Sequence, residues 1–226
     1  MIALLDREPQ TYHGQFGEYT ITKKDRLEVI IYRAGLVIAA ASFAIASNLF
    51  FAQGQAAISA LTPLFAVFSL GLGVSLYFIH IYMKALHRVL QAFWLIGTIA
   101  TVAIAISSNE PLGLYIYEHP LTLLGTGFTF AALTGIYFKE AFCFNRLETK
   151  ILTPIVPLLL LGHMTNLIPV EMEQVLLGIW SIGFSVFAIR KMIQEIDPDI
   201  GDKSVFAYLK QQQEIKMTSR TSDNAS

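Results

Sequence analysis

The chain has 226 residues, 54% of them hydrophobic and only 15% charged, where soluble domains carry roughly 25%. Mean hydropathy is +0.54, and six spans of about 20 residues would use a little over half the chain. A net charge of −1 excludes a basic nucleic-acid binder, and the single cysteine, Cys143, excludes an internal disulfide framework and any CxxC metal or redox motif. This is the composition of an integral membrane protein.

No basic n-region precedes an apolar h-region, so no cleavable signal peptide is expected. Residues 11–22, TYHGQFGEYTIT, place Phe16, Tyr19 and Ile21 in rough alternation among glycines and predict a turn or short hairpin at the membrane surface. Thr22 with Asp25 three residues on resembles a capping box, so a helix is expected to begin there and run into the first span. No Asp, Glu, Lys or Arg occurs from Ala34 to Met83, and the polar break Gln53-Gly54-Gln55 divides that run in two. Further charge-free runs are Val89–Asn109, His119–Phe138, Ile151–Val170 and Gln174–Ile189. They predict helices over 34–52, 59–82, 89–107, 121–138, 152–169 and 173–192, with Arg190 and Lys191 snorkelling to lengthen the last. Backbone groups in lipid must pair within their own segment, which makes such runs helices, and the lack of alternation excludes a β-barrel. The expected fold is all-α, a polytopic bundle of six transmembrane helices. Asp197–Asp202 predicts a loop and Lys203–Lys216 a short amphipathic helix with Val205, Phe206 and Leu209 on one side. The last ten residues, MTSRTSDNAS, are expected to be disordered. The organisation is then an N-terminal segment over 1–26, a membrane domain over 27–193 and a tail over 194–226.

In a six-span arrangement all 16 Lys and Arg fall on one face, and the opposite loops carry only Glu110, Glu118, Glu171 and Glu173. By the positive-inside rule both termini are cytoplasmic, or stromal in a plastid.

The GxSxG, HExxH, Walker A and GxGxxG motifs are absent from the sequence, so nothing marks the chain as an enzyme or implies a metal or cofactor. What remains is polar residues in or near the bilayer. His163, in LLLLGHMTNLIP, has Asn166 one turn further on. Such a residue usually faces a bundle interior or a cavity, as a haem ligand or proton relay; otherwise it is a neutral imidazole bonded to a neighbouring helix. His119 is a conceivable partner by depth, while His80 and His87 belong at the inner edge among headgroups and water. In FKEAFCFNRLE, Lys139 and Cys143 are four apart, so the ammonium can activate the thiol unless Glu140 takes it. The alternative is a buried structural cysteine, with Phe138, Phe142 and Phe144 as interfacial anchors. Gly127, Ala131 and Gly135 predict a close-packing seam, and Pro154 and Pro157 a kink in the fifth helix. Leu61-Thr62-Pro63 and Gly71 repeat as Leu152-Thr153-Pro154 and Gly162, which raises an inverted three-plus-three repeat.

The strings YHGQFGEYTIT, YRAGL, FAALTGIYFKEAFCF, LTPIVPLLLLGHM and DIGDKSVFAYL resemble those of an uncharacterised integral membrane family, a domain-of-unknown-function group of cyanobacteria and photosynthetic eukaryotes. The resemblance covers Thr11 to Leu209 and implies a thylakoid or plasma-membrane location, with no catalytic residue to transfer. Three functions stand open. One is an accessory or assembly protein of the photosynthetic membrane that binds other membrane subunits. Another is a small transporter or channel-like protein with His163 and Asn166 on its path. The third is a haem-binding or redox protein using His163, His119 and Cys143.

Overall fold

The computed structural model describes residues 9–223, so the expectations for the extreme N-terminus, signal peptide and Arg7 included, lie outside the described residues. Its elements are β1 (Gln10–Gly14), β2 (Gly17–Ile21), α1 (Lys23–Gln53), α2 (Ile58–Phe78), α3 (Lys84–Ser107) and α4 (Leu112–Glu118), then α5 (Leu123–Phe144), α6 (Leu147–Met164), α7 (Val170–Ile193), α8 (Asp197–Ile200) and α9 (Ser204–Asp223). Two compact units result. One takes Met1–Ile30 and Glu195–Ser226, as far as they are described, and the other Ile31–Gln194.

The terminal unit joins the two ends of the chain. The expected hairpin forms, with β1 antiparallel to β2 and Tyr12 opposite Tyr19. Its tight turn leaves two backbone donors, and the distant DIGDKS segment accepts them. Gln15 N–H donates to Asp202 Oδ2 at 2.6 Å, Phe16 N–H to Ser204 Oγ at 3.1 Å, and Ser204 Oγ–H to Asp202 Oδ1 at 2.6 Å. These bonds, from Ser204 first and the Gln15 amide next, hold the Asp202 carboxyl below the usual carboxylate range. A Cβ at Gly14 would overlap that carboxylate. The capping box also forms: Thr22 donates from its N–H and its hydroxyl to Asp25 Oδ2, each at 2.7 Å, and Lys203 reaches the same oxygen at 2.8 Å. Ile21, Val29, Ile196 and Ile200 are the apolar centre. The last helix runs on to Asp223, past the expected end at Lys216 and into the stretch expected to be disordered. Good helix formers and the i,i+4 pair Lys210–Glu214 at 3.9 Å favour that extension. Residues 224–226 lie outside the described residues.

Among the described residues five stretches are long and apolar enough to cross a membrane: Lys23–Phe78, Lys84–Ser107, Pro120–Phe144, Leu147–Met164 and Val170–Ile193. The first, of 56 residues, is no single rod. A 3₁₀ turn over Gly54–Ala57, with Gly54 at φ +55°, separates α1 from α2 where the polar break predicted a division. The two helices fold back on each other. A Cβ on Gly35 would stand 2.6 Å from the Gly71 carbonyl, and one on Gly71 2.8 Å from the Gly35 carbonyl, so the backbones touch there. Ser75 donates to the Tyr32 carbonyl at 2.9 Å beside that crossing.

The remaining helices pack by the same means. Gly97 of α3 lies against Thr129 of α5, Gly125 against Ala100, and Gly135 beneath Leu90. The seam on α5 therefore includes Gly135 but not Gly127, whose Cβ position meets only its own helix's Leu123, at 4.0 Å. Gly183 of α7 packs on Leu152 of α6, which continues through Pro154 and Pro157. Aromatic rings fill the centre: Phe43 to Trp180 at 4.5 Å, Phe130 to Trp180 at 5.3 Å and Phe68 to Phe130 at 5.6 Å. The sequence repeat has no shared environment behind it, since Gly71 meets α1 whereas Gly162 packs under Ile168 beyond its own helix.

Candidate functional site

Buried polar chemistry gathers at two places in the membrane unit. The first is where α5, α6 and α7 approach each other at the end bearing Phe144. Along α5 the residues Leu133, Ile136, Tyr137 and Glu140 recur at helical spacing, and all are buried, so the core-facing stripe ends on a carboxylate. Along α7 the buried stripe Trp180, Phe184, Phe187, Ala188 ends on Lys191 in the same way. The two stripes meet. Glu140, with no exposed side-chain surface, accepts from Lys139 Nζ at 2.8 Å and from Lys191 Nζ at 2.7 Å. Phe144 lies beside the ammonium groups, with Lys191 Nζ 4.4 Å and Lys139 Nζ 5.1 Å from its ring centre. A ring face is attractive to cations and takes no hydrogen-bonding group of its own. Around this pair, Arg146 donates to Gln194 Oε1, Glu148 is shared by Arg146 at 3.5 Å and Arg190 at 2.7 Å, and Arg33 donates to the Gln194 carbonyl at 2.6 Å.

The second place is the opposite end of α6. His163 sits in its last turn, because the helix ends at Met164 rather than near residue 169. Asn166 adopts φ +53° and closes that end: Leu167 N–H returns to the Gly162 carbonyl at 3.0 Å and Asn166 N–H to the His163 carbonyl at 3.1 Å. His163 Nδ1 is 2.8 Å from Glu173 Oε1 in the first turn of α7. Its Nε2 is 3.2 Å from the Tyr117 carbonyl, and its ring stacks on that of Tyr117 at 4.8 Å. Tyr117 belongs to α4, a short helix in a stretch expected to be a loop.

The sequence candidates divide accordingly. Lys139 and Glu140 come together. Cys143 is exposed and Lys139 is committed to Glu140, so neither the activated thiol nor the buried structural cysteine describes it. Phe138 and Phe142 are exposed, as interfacial anchors would be. Lys191 does not snorkel outward; helical phase carries it into the interior, where a carboxylate awaits it. Asn166 is an exposed residue whose left-handed backbone closes the end of α6. His119 is exposed, with Nδ1 3.0 Å from the Tyr115 carbonyl and its ring on Tyr115, so it does not share a ligand position with His163. His87 is turned inward as well, 2.6 Å from the Leu76 carbonyl that the end of α2 leaves open. The Lys191–Glu140 pair, the Glu173 partner and the Tyr117 contact were not anticipated; the spacing of both buried stripes carried the signal for the first.

Residues 74–208 match the model of the family described as uncharacterized integral membrane protein, DUF2301. The chain belongs to this family. The matched region takes in both polar clusters of the membrane unit except Arg33, and the DIGDKS segment of the terminal unit. As a DUF2301 member the chain is an integral, multi-pass membrane protein in contact with the lipid bilayer. Neither the curated proteins nor the solved structures contain a match.

Proposed function

We propose that this DUF2301 chain is a six-span accessory or assembly protein of a photosynthetic membrane, thylakoid or plasma membrane, with both ends on the cytoplasmic or stromal side. Six crossings are supported by the fold-back of α1 on α2 at Gly35 and Gly71, which makes two passes of the longest stretch. That the hairpin and the segment from Glu195 onward belong to one unit supports entry and exit on the same side, and so an even number of crossings. The charge asymmetry of the loops supports the orientation.

The observation that carries the accessory role is the use to which the interior is put. Phe43, Phe68, Phe130, Trp180 and Phe184 fill the centre of the membrane unit, and its buried Lys139, Glu140 and Lys191 are bonded to one another. Chemistry directed at a partner then falls to the surfaces and to the terminal unit. A path along α6 has lost Asn166 to a helix cap, and a histidine pair for haem has lost His119. The photosynthetic setting comes from the sequence resemblance alone.

The test is affinity purification in mild detergent, with mass spectrometry and an absorbance spectrum of the same sample. A defined set of photosynthetic membrane subunits is expected with the wild type and is lost with Asp202→Ala, which opens the terminal unit. Solute flux in proteoliposomes or a Soret band would overturn the assignment. Cysteines at Glu118 and Glu171, in a Cys143→Ser background, should label only from the side opposite the termini.

A further inference from the structure

We propose that His163 is a proton-operated latch that fastens the short helix α4 to the ends of α6 and α7. Both ring nitrogens face oxygen acceptors, the Glu173 carboxylate at 2.8 Å and the Tyr117 carbonyl at 3.2 Å. A neutral imidazole carries one N–H and satisfies only one of them, leaving a lone pair aimed at the other; an imidazolium donates to both. The two bonds are unequal. The shorter one is charge-assisted and is retained when one proton must go, so the bond surrendered is that to Tyr117. That carbonyl lies at the C-terminal end of α4, where helix carbonyls have no partner within the helix. Losing the proton therefore removes the donor and turns the stacked, half-buried ring contact with Tyr117 into a weaker attachment.

The groups around the latch are few. Glu173 faces it from α7, and the Tyr117 ring and carbonyl face it from α4. Glu118 and His119 follow Tyr117 but are exposed, His119 Nδ1 being turned to Tyr115, and Glu171 is exposed in the first turn of α7. The nearby residues of α6 itself, Gly162, Met164 and Thr165, carry no charge. The latch thus holds while the ring carries both protons and loosens when it gives one up. In the six-span arrangement it faces the compartment opposite the termini, whose acidity would set it.

The experiment is electron paramagnetic resonance of the full chain in nanodiscs, with a spin label at Glu118→Cys in a Cys143→Ser background. The mobile fraction at the label should rise several-fold between pH 5 and pH 8. His163→Gln, which donates without titrating, should give the same spectrum at both values. Glu173→Gln can donate its amide N–H to Nδ1, which leaves the Nε2–H of a neutral ring for the Tyr117 carbonyl, so it too should give one spectrum at both values. An unchanged spectrum in the labelled parent, or a full pH response in His163→Gln, overturns the latch. Should His163→Gln fail to fold, Glu173→Gln decides, and a full pH response in it rejects the proposal.

Discussion

Glu140→Gln is expected to be the most destabilising single change at the cluster around Lys139 and Lys191. The side chain is fully buried and accepts from two ammonium groups, so the substitution strands Lys139 and Lys191 together. Removing one partner of a buried ion pair costs about 3–5 kcal/mol, and with two cations left behind the upper figure applies, about 5 kcal/mol. Lys191→Met leaves Glu140 still paired with Lys139 at 2.8 Å, so about 3 kcal/mol is expected there. The double variant Glu140→Gln/Lys191→Met removes one stranded cation and should recover roughly 1–3 kcal/mol of the summed loss. At about 2–4 °C per kcal/mol for a chain of this size, Glu140→Gln should lower the melting temperature in detergent by roughly 10–20 °C. A light-scattering or tryptophan-emission melt of the four proteins gives the cycle. Strict additivity, or a Glu140→Gln variant melting with the wild type, would refute the reasoning, because either result means the carboxylate is not balancing those charges.

Gly97→Ala should be poorly tolerated, since its Cβ would overlap the Thr129 backbone nitrogen, whereas Gly127→Ala enters open space; a loss of about 2 kcal/mol or more against almost none is expected in the same melts. Asp202 supplies the acid-sensitive contact of the terminal unit. Its folded carboxyl titrates below its unfolded value, so the stabilisation is complete above the ordinary aspartate value near 3.9 and is lost as pH falls through the lower folded one. Hydrogen-exchange protection at Gln15 and Phe16, corrected for intrinsic rates, should fall over that acid window, and Asp202→Asn should abolish the transition.

Legibility followed hydropathy and local chemistry. The hairpin around Gly14 and Gly17, the Thr22–Asp25 cap and the break at Gly54 were readable because each depends on neighbours within a few residues. The ends of the spans are less so: a charge reads as the boundary at residue 138, yet α5 carries Lys139 and Glu140 inside its last turns. Charge-free length misplaces a helix end whenever opposite charges from different helices neutralise one another. The α6 terminus was set five residues too far because apolar Leu167 and Ile168 continue the run, while the helix closes at a left-handed Asn166. Gly127 enters the expected seam, and Gly97 and Gly125 do not, because small-residue spacing within one helix does not say which face the neighbour occupies. The Asp202–Gln15 and His163–Tyr117 contacts join distant segments, and no local rule brings them together.

The hairpin turn at Gln15 finds its acceptor 187 residues later in the chain. A ribosome adding about 5–20 residues per second needs on the order of 10–40 s to cover that distance. Through all of that time the spans are inserting while the first-made segment has no acceptor for its turn, so the terminal unit can close only after the membrane helices have been synthesised. Its closure is a record that synthesis has passed Asp202 and Ser204. A product truncated before Asp202 would display the hairpin turn without its acceptor.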